Sequence, residues 1–164
     1  MKKIIRLALA VMMIATMSIT AFAATIENGT GTVEVTYGVS ENYTVTIPAN
    51  TTLTADGVNM DISASDVVIP YGNQLTVSIS SFNYADNKWY LVDDANASNK
   101  LEYSIKNGEN AVASDDTILT VAAGTTEVQT TTLTAKLVGT ATYSGTYKDT
   151  LTFSVNVGET SATE

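Results

Sequence analysis

Dry and wet side chains trade places at almost every step of this chain, and a period of two leaves room for little except β-structure. Val33, Val35 and Tyr37 alternate with Glu34 and Thr36, Tyr43, Val45 and Ile47 with Thr44 and Thr46, and Val58, Met60 and Ile62 with Asn59 and Asp61. The pattern returns at Leu75–Ile79, Leu101–Ile105 and Leu133–Leu137, and it runs longest over Thr146–Val157. Successive side chains on a strand point to opposite faces, so each run offers one face to a core and one to water. The wet faces are mostly Thr and Ser, which suit a pleated surface. Beyond the N-terminal segment, no stretch places apolar residues at the helical spacing of three and four.

Turn residues punctuate these runs. Asp56-Gly57 precedes one, Pro70-Tyr-Gly-Asn73 separates Val67-Val68-Ile69 from Leu75, and Ala123-Gly124 follows Ile118–Val121. Asn107-Gly108 after Ile105 is the strongest hairpin signal and predicts a type I′ turn with positive φ at both residues. Tyr143-Ser-Gly-Thr146 leads into the last run. Residues 81–100 are the least regular and read as loop, short strand around Trp89–Val92, then loop. About seven to ten strands spaced by turns predict an all-β, immunoglobulin-like antiparallel sandwich, with a closed barrel as the alternative.

The first 23 residues read as an address. Lys2, Lys3 and Arg6 precede an apolar stretch from Leu7 to about Met17, and Ala21-Phe22-Ala23 provides the small residues of a signal-peptidase site. Ser18 and Thr20 interrupt the run before it is long enough to span a bilayer. Cleavage after Ala23 would leave residues 24–164 as one domain, with frayed ends at Ala24–Gly29 and Glu159–Glu164. That portion carries five lysines against 17 acids, a formal charge of −12. Such a surface repels nucleic acid and anionic lipid, so neither is expected as a partner, nor a membrane after cleavage. The expected location is secreted, extracellular or cell-surface associated.

The absent residue types exclude chemistry. With no His and no Cys, the chain cannot hold a His- or Cys-ligated zinc, run a Ser-His-Asp or Cys-His mechanism, or form a disulfide. About 140 residues can still build a core without staples. The carboxylate pairs Asp93-Asp94 and Asp115-Asp116 are sequence neighbours, and nothing sets two acids across a cleft as glycoside hydrolysis requires. The expectation is therefore a non-enzyme with no cofactor. Asp86, Asp93 and Asp94, beside Asn87 and Asn96, are the candidate oxygen ligands for Ca²⁺. Trp89 with Tyr84 and Tyr90 is the candidate carbohydrate platform, if the rings are open. Alternation places Trp89 and Leu91 on one face and Tyr90 and Val92 on the other, which favours a core role for Trp89. Lys106, Lys136 and Lys148 fall on wet faces, which argues against a buried Lys–Asn isopeptide bond. The run at Thr146–Val157 is regular enough to complete a neighbour's sheet, which makes self-association through 146–157 an alternative. An ordinary strand of the chain's own sandwich is the favoured reading, with Lys148 and Asn156 on the wet face as modest protection against edge pairing.

Tyr43-Thr-Val-Thr-Ile-Pro48, Val67-Val-Ile-Pro-Tyr-Gly72 and the stretch from Ser144 to Val157 resemble small secreted β-sandwich surface proteins of Gram-positive bacteria. The last stretch is also similar to the closing strand of spore-coat-U-type pilin subunits and of WxL-type wall proteins. WxL proteins bind peptidoglycan through two Trp-x-Leu motifs; Trp89-Tyr90-Leu91 matches one, and the C-terminal region holds no second. Coat-U pilins usually carry Cys, which this chain lacks. The resemblance implies a surface, matrix or adhesion-type structural protein, with a cell-wall component, a glycan or another surface protein as partner. The alternative from another class is a carbohydrate-binding module.

Overall fold

A computed structural model describes residues 36–160. The expected leader, with Val33 and Val35 of the first alternating run, lies outside the described residues. Tyr37, the end of that run, is in no strand and is exposed.

The strands are β1 (Asn42–Thr46), β2 (Val58–Val68), β3 (Asn73–Ser81), β4 (Trp89–Asp93), β5 (Lys100–Asn107), β6 (Asn110–Ala111), β7 (Thr117–Ala122), β8 (Gln129–Leu137), β9 (Tyr147–Lys148) and β10 (Leu151–Glu159). No helix occurs among the described residues. One sheet has the order β1-β2-β8-β5-β4-β9, with β6 also on β5; the other has the order β10-β3-β7. Every pairing is antiparallel. The result is an all-β, immunoglobulin-like sandwich of two open sheets, not the closed barrel held as the alternative.

Alternation builds the core as expected. Met60, Ile62 and Ala64 of β2, Leu75, Val77 and Ile79 of β3, Tyr103 and Ile105 of β5, and Leu133 and Ala135 of β8 all turn inward and are buried. Two bulges adjust the phase. Between Asn42 and Thr44 of β1 the facing strand advances from Val68 to Ser65, one residue more than its partner. Asp66 supplies that extra residue with φ 54°, in the left-handed region that Asp tolerates better than most side chains. The bulge turns Val67 inward after Ala64 and joins Val58–Ile62 and Val67–Val68, which alternation separates, into one strand. A second shift, opposite Val77 and Ser78, lets adjacent Ile118 and Leu119 of β7 both be buried.

Three expectations are corrected. The hairpin after β5 turns on Gly108-Glu109, since Asn107 pairs with Asn110. Only Gly108 has positive φ there (58°), the pattern of a type II′ turn, not I′. Glu159 does not begin a frayed end: it pairs with Asn73, and Thr160 N–H donates to the Gly72 carbonyl at 2.9 Å. The long run over Thr146–Val157 is two strands. β9 belongs to the larger sheet, β10 to the smaller, and the chain crosses between them at Asp149-Thr150.

Candidate functional site

The crossing is held by one carboxylate. Asp149 Oδ1 accepts from Ser81 Oγ (2.6 Å), Asn83 Nδ2 (3.0 Å) and the Thr150 N–H (2.8 Å), and Oδ2 accepts from Tyr103 Oη–H at 2.6 Å. Ser81 ends β3 in one sheet and Tyr103 lies in β5 of the other, so Asp149 ties the two sheets where the chain passes between them. Charge-assisted bonds of this kind are stronger than neutral ones. Beside the crossing lies an open groove of about 400 Å³ lined by Phe82, Asn83, Val92, Asp94, Lys148 and Thr150. Among the described residues, no buried side-chain polar atom lacks a partner.

Burial of the Tyr103 phenol, and behind it the bond to the Asp149 carboxylate, raises its pKa well above the usual tyrosine range. A phenol with a raised folded pKa adds stability that is complete below its unfolded value of about 10 and is lost as pH climbs toward the folded value. Alkaline titration followed by phenolate absorbance therefore has an expected outcome. The contribution of Tyr103, read as wild type minus Tyr103→Phe, stays silent past pH 10 and appears only with loss of the fold. A smooth contribution centred on pH 10 would contradict the burial.

The candidate sugar platform is divided by the pleat. Trp89 is 3% exposed, and its Nε1–H donates to the Val112 carbonyl at 2.8 Å. Tyr84 meets it edge-on with ring centroids 4.8 Å apart, and Tyr103 lies tilted at 6.2 Å. Tyr90 faces the other way, with Lys100 Nζ 5.4 Å from its ring centroid. Trp89, Tyr84 and Tyr90 therefore share no open face, and Trp89 serves as core. Trp89 and Leu91 of the Trp-x-Leu triplet both turn toward that core.

The three Ca²⁺ candidates are also apart in role. Asp86 and Asn87, with φ 51° and 59°, form a two-residue type I′ turn closed by reciprocal bonds between Ala85 and Lys88. Asp93 is 5% exposed; Oδ1 accepts from the Ala95 N–H and Oδ2 from Asn99 Nδ2, both at 3.1 Å. Gly145 presses against that carboxylate, where a Cβ would stand 2.8 Å from Oδ1. Asp94 pairs with Lys148 at the surface. Among the described residues, no group of three acids is arranged to hold a metal ion. Asp116 of the other acidic pair accepts from the Ala113 N–H at 2.7 Å, closing the turn before β7. Lys106, Lys136 and Lys148 are exposed, as the alternation predicts.

The second feature is the outer edge of β10, which sequence reasoning placed inside one long strand. β10 pairs with β3 along all nine of its residues and with nothing on its other side among the described residues. Its inward row is incompletely covered: Val155 is 37% exposed, while Val77, its partner on β3, is fully buried.

No protein-family model matches the sequence, and no curated protein matches it significantly. Among solved structures, the chain is similar to one from a chaperone–tip adhesin complex of CFA/I fimbriae biogenesis, at 13% identity and a TM-score of 0.41, over 79% of this chain and 41% of that one. The chain thus spans about two-fifths of that protein's length. A likeness this distant assigns neither a function nor a partner.

Proposed function

We propose that this chain is a non-catalytic, self-associating structural or adhesive component of a bacterial surface or extracellular matrix, most akin to those of Gram-positive bacteria. The observation that carries the reading is the unprotected edge of β10. Long sheet edges invite pairing with another chain, and proteins that stay single blunt them with Pro, Lys, bulges or brevity. Leu151–Glu159 has no Pro, no Lys or Arg and no register shift over nine residues. The other edges are managed: β1 has five residues and a shift, β9 has two residues, and β7 carries the Ile118 bulge. The edge at β10 is thus the one suited to backbone pairing. Of the acids offered by the sequence for acid–base work, Asp93 and Asp116 are engaged in turns and Asp94 in an ion pair, which favours a binding role over catalysis. Export, expected from the sequence of residues 1–23, would agree with such a location.

Sedimentation of the purified chain over a wide concentration range tests this. The wild type is expected to gain mass with concentration. Val155→Lys sets a charge on the inward row of the edge and is expected to keep the fold, by circular dichroism, but remain monomeric. A wild type that stays monomeric at millimolar concentration sinks the reading.

A further inference from the structure

We infer that the strand laid on the edge of β10 is residues 31–37 of a second copy of the chain. The inference rests on the edge reading above and names the occupant. The segment reads Gly-Thr-Val-Glu-Val-Thr-Tyr, with Val33, Val35 and Tyr37 on one face and Thr32, Glu34 and Thr36 on the other. β10 presents Phe153, Val155 and Val157 inward and Thr152, Ser154 and Asn156 outward. Both rows have three apolar residues at spacing two. Laid side by side, the segment turns its apolar row to the open margin of the core and its polar row to water. A slip of one residue would reverse both faces, so the pairing has a specified register. Residues Leu151–Gly158 carry no charge and the segment carries one acid, so no like charges are set opposite each other.

The open margin lies along β10. Leu75, Val77 and Ile79 in the middle of the small sheet are fully buried, and the next row outward, on β10, is only half-covered. One more strand on that side covers it.

Geometry selects a second copy over the chain's own segment. The segment leads into β1, which lies at the flank of the sandwich away from β10. β1 neighbours β2, β2 is bonded to the end of β7 through Val67, Gly124 and Thr125, and β3 and β10 follow beyond β7. To a strand laid beyond β10, that path covers four strand spacings of ~4.8 Å and a sheet separation of ~10 Å, roughly 22 Å in a straight line. Tyr37 and Asn42 are five peptide steps apart, which span at most roughly 17 Å when fully extended. The chain's own segment therefore falls short of a place beside β10 even when fully extended. It would also run parallel to β10, since β1 starts at the same end at which β10 finishes, in a molecule whose pairings are all antiparallel. Tyr37 is 91% exposed and Val39 65% exposed, so neither is packed on the chain's own body. A segment from a second copy has neither constraint.

The chain has no Cys, so introduced cysteines report without background. Val35→Cys chains are mixed with chains carrying Phe153→Cys, Val155→Cys or Val157→Cys and oxidised; Thr120→Cys, on the far strand β7, is the control. A disulfide-linked pair of chains is expected from at least one β10 mixture and not from the control. Val33→Asp/Val35→Asp, which leaves residues 36–160 unaltered, is expected to weaken self-association about tenfold or more, corresponding to ~1.4 kcal/mol. Association that survives this change but is lost in Val155→Lys overturns the occupant and keeps the edge reading. A closed loop within one chain when Val35→Cys and Val155→Cys are combined, with no linked pairs, overturns the second copy. Absence of association in the wild type removes both readings.

Discussion

Asp149→Ala will lower stability by about 2–4 kcal/mol, read as the free energy of denaturant unfolding with the single tryptophan as probe. The size follows from what is left behind. Tyr103 is buried, and its Oη–H has no acceptor but Asp149. A buried donor without a partner loses about 1–3 kcal/mol. Ser81, Asn83 and the Thr150 N–H lose a charged acceptor as well, but they are nearer to solvent, and water can replace part of what they lose. Asp149→Asn keeps the shape but replaces one acceptor oxygen by a donor, and is expected to lose less, about 1–2 kcal/mol. Tyr103→Phe is expected to lose about 1 kcal/mol, and combined with Asp149→Ala the losses should not add, because Tyr103 then has no donor to strand. Additive losses would mean that the 2.6 Å bond contributes nothing. The effect reaches the edge proposed to pair with another chain, since Asp149 fixes the point where β10 enters the small sheet. Self-association of Asp149→Ala should weaken even under conditions where the chain remains folded.

Residue order reveals the strands and hides the crossing, for a physical reason. Tyr147, Asp149 and Leu151 stand at even spacing, so the alternation passes through Asp149-Thr150 without a break. A strand that changes sheets keeps its parity, and periodicity cannot distinguish it from one continuous strand. The partners of Asp149, Tyr103 and Ser81, are 46 and 68 residues away, and no local pattern announces them. The bulge at Asp66 did leave a trace, because Ala64 and Val67, both buried, stand at odd spacing. The separation of the aromatics was also legible: alternation placed Trp89 opposite Tyr90, and the pleat keeps them there. Burial of Asp93 was not, because adjacent acids in a polar loop look solvated until Asn99 and the Ala95 N–H are seen to close on the carboxylate. The free edge of β10 is a property of topology, and alternation alone cannot tell an edge strand from a central one.

Trp89→Ala is expected to have the largest single effect, a loss of about 3–5 kcal/mol, enough to leave the chain largely unfolded at 37 °C if its stability is ordinary. Trp89 sits on β4 opposite Tyr103 of β5, and its ring reaches across to Val112, just past β6. Removing it empties the space between Tyr84 and Tyr103 and leaves the Val112 carbonyl without its indole donor. Trp89→Phe separates these terms: it keeps most of the ring volume and loses the N–H, so a loss of about 1–2 kcal/mol is expected. Urea unfolding followed by far-ultraviolet circular dichroism measures both variants without relying on the residue that has been removed. In the wild type, acrylamide should barely quench Trp89 until the sandwich opens, because the ring is enclosed by its two tyrosine neighbours. Emission that is strongly quenched in the native protein, or a Trp89→Ala chain with unchanged midpoint, would mean that the ring is open to solvent. An exposed face for sugar stacking would then return as the better use of Trp89, with Tyr84 at its edge.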